Sequence, residues 1–253
     1  MPYRVLEYEK QTRTLIANGI IEENKPIGLV HDNKSIRPYS NIFLLSRIWT
    51  DVGGDIPEHP HKGFEILTYV LKGSLEHYNP NSKKWIKVNS GDFELLKSGS
   101  GINQALKVQR NSEVIQVWFD PDIRQSLTNE YIWETFESNS CKQFELPGKT
   151  IKTLIDEDSN AQLVSESVKV YDYKLTPGPS SFKFKEDRFY TLYLIKGELE
   201  VEGKFINENS LIIIKDETLF EFFVSIHTRL LFIESPLKTT YKTYLQLKSE
   251  GNT

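Results

Sequence analysis

Apolar residues along this chain come in short runs, most of roughly four to ten residues, separated by clusters of Gly, Pro, Asn, Asp and Ser. In the first half the runs are Asn41–Trp49, Glu65–Leu71, Trp85–Val88, Phe93–Leu96 and Glu113–Phe119. In the second half they are Gln162–Leu175, Tyr190–Ile195, Leu199–Val201, Ser210–Ile214, Leu219–Val224 and Thr228–Ile233. Many are rich in Val, Ile, Tyr and Phe, which suit a pleated, half-buried surface. The pattern predicts an all-β sandwich or barrel. Helical signals are sparse. One short helix is expected in the stretch from Pro121 to Asn139, and a second between Pro236 and Ser249.

The two halves repeat one another. Leu71-Lys72-Gly73-Ser74-Leu75-Glu76-His77 reappears about 124 residues later as Ile195-Lys196-Gly197-Glu198-Leu199-Glu200-Val201. Each copy leads through a polar turn into another strand, introduced by Asn89-Ser90-Gly91-Asp92-Phe93 in one and by Asn207-Glu208-Asn209-Ser210-Leu211 in the other. A repeat this long means two copies of one β domain. The boundary is expected between Pro121 and Thr150, and the chain is divided here as residues 1–130 and 131–253.

Composition narrows the function. With 253 residues there is chain enough for two modest cores. Lys and Arg number 31 against 35 Asp and Glu, a net charge of −4, which argues against a protein that grips nucleic acid by bulk charge. No apolar run reaches the ~18 residues of a membrane span, and the charged start has no secretory apolar segment. The single cysteine, Cys141, rules out an internal disulfide and any Cys-cluster metal site, and makes the cytoplasm the expected compartment.

One stretch carries chemistry: Gly53-Gly54-Asp55-Ile56-Pro57-Glu58-His59-Pro60-His61-Lys62-Gly63-Phe64-Glu65. On an extended chain residues two apart share a face, so His59 and His61 present two imidazoles to one point, and Glu65 has the same parity. Imidazole with carboxylate suits Fe, Zn, Ni, Cu or Mn. There is no phosphate-binding loop and no nucleophile elbow. His31 reads as exposed loop, His77 as structural, His227 as a turn residue, and Phe220, Phe222 and Phe223 as barrel core and interface.

His59-Pro60-His61-Lys62-Gly63-Phe64-Glu65, continuing through Leu71-Lys72-Gly73 to His77, resembles the first motif of the pirins, a branch of the cupin superfamily. Ser90-Gly91-Asp92-Phe93-Glu94 with Gly99-Ser100-Gly101-Ile102 resembles the second, and Val114–Trp118 the strand that closes the first barrel. The resemblance implies a bicupin, two cupin barrels packed face to face with one or two short helices, the first barrel carrying a metal. It also implies that the second barrel, with Thr191, Tyr193 and Ile195 on the corresponding strand, binds none. Some members show quercetinase activity and others are described as transcriptional co-regulators. Metal-binding pirins use the two histidines of His-Pro-His and then a His and a Glu spaced His-x-Glu. This sequence has Gln104 and Leu106 in those two places. An amide is a poor transition-metal ligand and leucine is none.

The expected protein is therefore a pirin-like bicupin with an incomplete first site, holding either no metal or a weakly bound divalent transition metal on His59, His61 and Gln104. Glu65 and Leu106 are expected to line the pocket. The expected role is binding a small aromatic ligand or a protein partner, as a monomer or dimer, with no membrane or direct nucleic-acid contact. The alternative is a weak flavonol dioxygenase.

Overall fold

A computed structural model describes residues 3–251. The chain opens with β1 (Tyr3–Leu6), then runs through β2 (Thr12–Ile16), β3 (Ile21–Ile27), β4 (Ile42–Thr50), β5 (Gly54–His61), β6 (Glu65–Lys72) and β7 (Ser74–Asn79). β8 (Lys84–Asn89), β9 (Phe93–Lys97), β10 (Ile102–Val108), β11 (Ser112–Phe119), the one-turn helix α1 (Ile123–Ser126) and β12 (Ile132–Phe136) follow. The second half holds β13 (Gln143–Leu146), β14 (Lys149–Ile155), β15 (Lys169–Leu175), β16 (Gly178–Lys183), β17 (Arg188–Lys196) and β18 (Glu198–Val201). It ends with β19 (Lys204–Asn207), β20 (Leu211–Lys215), β21 (Leu219–Val224), β22 (Thr228–Pro236) and α2 (Tyr244–Ser249).

These elements form two units. The first takes Thr12–Ser140 and the described residues from Thr240 on; the second takes Cys141–Thr239 and the described residues up to Gln11. The division falls at Ser140 rather than residue 130 because β12 pairs with β9 and so stays with the first unit. The two ends of the chain are also exchanged, since β1 adds to β20 of the second unit.

Each unit pairs a seven-stranded sheet with a four-stranded one. In the first the orders are β12-β9-β6-β11-β4-β3-β2 and β5-β10-β7-β8. In the second they are β1-β20-β17-β22-β15-β14-β13 and β16-β21-β18-β19. The all-β reading holds, with α1 and α2 as the α-helices. The stretch expected to be helical after Pro121 yields a single turn, capped by Asp122, before the chain returns to strand. Of the run Gln162–Leu175 only Lys169–Leu175 is strand.

The repeated Lys-Gly turn has one physical basis in both units. Gly73 and Gly197 have φ of +70° and +98°, and a Cβ there would collide with Ser112 Oγ or Thr228 Oγ1. Those hydroxyls accept from the next backbone N–H, Ser74 at 2.9 Å and Glu198 at 3.0 Å.

Strand alternation then sets the cores. In the first unit Val70, Leu75, Val88, Leu106 and Val114 form one buried cluster. Ile66, Leu96 and Ile102 form another, against Trp118, Tyr131 and Trp133. The second unit is filled by a larger cluster that includes Phe182, Phe184, Leu192, Ile212, Phe222 and Phe232. Phe220 and Phe222 point inward, whereas Phe223 alternates outward and is 46% exposed.

Candidate functional site

β5 and β10 carry the histidines and their neighbours. Their register sets Ile102 opposite His61 and Gln104 opposite His59; a bulge then sets Leu106 opposite Ile56. Residues opposite one another share a face. His59, His61, Gln104 and Leu106 therefore all face the space between the first unit's two sheets, as the residue spacing predicts.

The pair has a defined proton arrangement. His59 Nδ1 lies 2.8 Å from the Pro57 carbonyl, which can only accept, so Nδ1 carries the hydrogen. His59 Nε2 is then a bare lone pair, and His61 Nε2–H donates to it across 2.9 Å. This leaves His61 Nδ1 unprotonated and buried without a partner. Burial, with the neighbouring His59, pulls the His61 pKa from 6.5 down to about 4; Gln104 acts weakly the other way. Gln104 makes no well-formed hydrogen bond, and both its Oε1 and Nε2 are buried without a partner.

Leu106 sits in the apolar cluster with Val70, Leu75, Val88 and Val114, 4% exposed. Glu65 is not in this space. The Lys62-Gly63 turn, with Gly63 at φ +83°, breaks the parity counted from His61. Glu65 alternates with Ile66, which packs with Ile102 and Trp118, so Glu65 is buried on the other face of β6.

Aromatic rings connect the histidines to the chain's last helix. His61 meets Trp118 edge-on at 4.9 Å, Trp118 lies 6.0 Å from Phe64, and Phe64 lies 5.6 Å from Tyr244 of α2. Asp120 fixes this end: its carboxylate accepts the Tyr244 N–H at 2.8 Å and its carbonyl accepts the Tyr241 hydroxyl at 2.6 Å. Burial raises the Asp120 pKa from 3.8 to about 7, opposed by that N–H.

The stretch that carries this histidine pair matches a known family. The pirin family model covers residues 20–119. The chain is 24% identical over 202 residues to a quercetin 2,3-dioxygenase of Escherichia coli K12, spanning 78% of this chain and 84% of that one. It is 27% identical over 183 residues to a pirin-like protein of Caulobacter vibrioides, spanning 68% and 75%. The crystal structure of the bacterial pirin YhhW of E. coli in complex with nickel(II) superposes with a TM-score of 0.76 at 18% identity, over 92% of this chain and 99% of that one. A quercetin 2,3-dioxygenase structure from Acinetobacter baumannii gives 0.78 at 15% identity, over 98% and 86%.

Residues 20–119 thus match the pirin family, and the chain shares the fold of the solved bacterial pirins. The pirin fold implies a metal in the first unit, and the pirin domain of this chain does not fit one. Among the described residues, no group of three or more His, Cys, Asp or Glu side chains is placed to hold a metal ion. A ligating histidine donates its second ring N–H to an acceptor. His59 has one in Pro57, but His61 Nδ1 makes no hydrogen bond. The fourth family position is Leu106, seated in hydrocarbon.

The sequence reading took His77 as structural and Glu94 as part of the second pirin-like motif, but did not bring the two together. His77 Nδ1 lies 2.5 Å from Glu94 Oε2, and His77 stacks on Trp133 at 4.0 Å. The signal was present in the repeat, which puts His77 against Val201 and Glu94 against Ile212.

Proposed function

We propose that this pirin-family bicupin works as a binding or regulatory protein whose first unit takes a small ligand, or responds to a protein partner, without a resident metal. The observation that carries the reading is Leu106, buried among Val70, Leu75, Val88 and Val114 in the place where metal-binding pirins have their carboxylate. A leucine there supplies no charge to offset a dication and no base to accept a substrate proton. The ligand class expected from the site's aromatic surroundings is a small aromatic molecule. The net charge of −4 disfavours direct nucleic-acid binding, and among the described residues no helix is long and apolar enough to cross a membrane. One cysteine fits a cytoplasmic setting, as monomer or dimer.

A second reading, a weak flavonol dioxygenase, is favoured by the two Nε2 atoms that converge to 2.9 Å and by relatives named quercetin 2,3-dioxygenase. Quercetin consumption by the purified chain separates the two. Turnover equal to buffer is expected. Turnover that a chelator abolishes and that His59→Ala removes would overturn the binding-protein reading in favour of the dioxygenase.

A further inference from the structure

The two units provide an internal comparison that isolates a second site. Across the first unit's large sheet, Ser46, Gln116, Thr68 and Glu94 stand in one row on β4, β11, β6 and β9, each directly opposite the next. The same row in the second unit, on β15, β22, β17 and β20, reads Tyr171, Phe232, Leu192 and Ile212. Those four belong to, or pack against, its apolar core. His77 likewise corresponds to Val201, which is also core. One fold thus fills the same positions with hydrocarbon in one unit and with hydrogen-bonding groups in the other.

The polar row is buried and only partly satisfied. Ser46 and Glu94 are 0% exposed, Thr68 1%, His77 1% and Gln116 9%. Gln116 Nε2 donates to Thr68 Oγ1 at 3.2 Å. Ser46 Oγ and Glu94 Oε1 have no partner, while Glu94 Oε2 is paired with His77 Nδ1 at 2.5 Å. Glu94 alternates with Phe93 and Leu95 and shares its face with Leu96, which packs against Ile66 and Ile102, so its carboxylate is directed between the sheets. Buried polar groups without partners destabilise a fold, and the second unit shows that this fold does not require them.

We propose that this row, with His77, is a binding site for a small neutral polyhydroxylated molecule, a sugar or polyol. The inference rests on the reading of the first unit as a ligand binder and changes its ligand class from a small aromatic molecule to a polyol. Glu94 Oε2 already has His77 Nδ1 as its partner at 2.5 Å, so the row offers no free counter-group to a charged ligand, and a neutral one suits it. Glu94 Oε1 at one end accepts a hydrogen bond and the Ser46 hydroxyl at the other both donates and accepts, so hydroxyl groups of a ligand suit both ends. Those ends lie three strand spacings of about 4.8 Å apart, so one hydroxyl cannot serve both and several are needed. Gln116 and Thr68 fall between them and can exchange donors and acceptors with hydroxyls in the middle.

The test is calorimetric titration of chelator-treated protein with myo-inositol and with glucose, repeated on Glu94→Ile with His77→Val, and separately on Thr68→Leu. Each change installs the residue of the second unit. At least one polyol is expected to bind the native chain, and both variants are expected to lose about tenfold or more in affinity while melting at the same or a higher temperature. No heat with either polyol, equal affinity in all three proteins, or preference for catechol over both polyols overturns the proposal. Polyol binding that appears only with added nickel and vanishes in His59→Ala overturns instead the metal-free reading beneath it.

Discussion

His59 Nε2 accepts a hydrogen from His61 Nε2 across 2.9 Å, and the Pro57 carbonyl, by holding the hydrogen on His59 Nδ1, fixes that direction. A metal would need the lone pairs of both Nε2 atoms. His59 is already in the required tautomer. His61 would have to move its hydrogen to Nδ1, which is buried and makes no hydrogen bond. The arrangement therefore holds the two imidazoles to each other rather than to an ion.

Restoring the family's ligands tests this directly. Gln104→His with Leu106→Glu is expected to raise nickel affinity at least roughly tenfold over the native chain, measured by equilibrium dialysis. No gain would mean that the geometry of β5 and β10 has itself departed from a metal site.

Leu106→Glu alone places an unpaired carboxylate in the cluster of Val70, Leu75, Val88 and Val114. It is expected to destabilise the metal-free protein by roughly 3–5 kcal/mol in urea unfolding. A loss below about 1 kcal/mol would mean that water reaches this position.

His61 and Asp120 set opposing pH slopes in one unit. The His61 pKa falls from 6.5 to about 4, so as pH drops through that interval the unfolded chain takes up a proton the folded chain refuses, and stability falls. The Asp120 pKa rises from 3.8 to about 7, so as pH climbs through that interval the unfolded chain ionises first, and stability again falls. Each effect amounts to roughly 3–4 kcal/mol over its interval, and they largely cancel between pH 4 and 7. Single variants expose them. Asp120→Asn is expected to lose stability steadily on acidification from pH 6.5 to 4, and His61→Gln on alkalinisation from pH 4 to 7, in denaturant midpoints. Parallel profiles for both variants and the native chain would refute the assignment.

The turn glycines bear on how faithfully the two halves repeat. Gly73→Ala and Gly197→Ala each force a Cβ onto a hydroxyl that accepts a backbone hydrogen bond, at positive φ. Each is expected to destabilise by about 2 kcal/mol or more, read as a shift in thermal midpoint. A neutral Gly197→Ala would show that the second unit does not need the turn.

Much of this was legible in the sequence because it depends on local pattern. Period-two runs located most strands, the Lys-Gly repeat gave the two copies, and His-Pro-His on an extended chain put His59 and His61 on one face. What was hidden depends on pairing. Parity does not survive the Lys62-Gly63 turn, so Glu65 faces away from the histidines. The short helix after Pro121 stops after one turn because β12 finds β9, a long-range partner that composition does not show. The exchange of chain ends rests likewise on β1 pairing with β20. Glu94 was read within an apolar run and the second pirin-like motif. Only the register that sets it beside Thr68, with Gln116 and Ser46 beyond, reveals a row.

The pirin domain of this chain is expected to hold no resident metal, and metal content by inductively coupled plasma mass spectrometry tests that expectation. The measurement is made on untagged protein purified without chelators, beside His59→Ala. Transition metal near background in both proteins is the expected result. About one transition metal per chain in the native protein, lost in His59→Ala, would contradict it and return His59, His61 and Gln104 to the role of ligands.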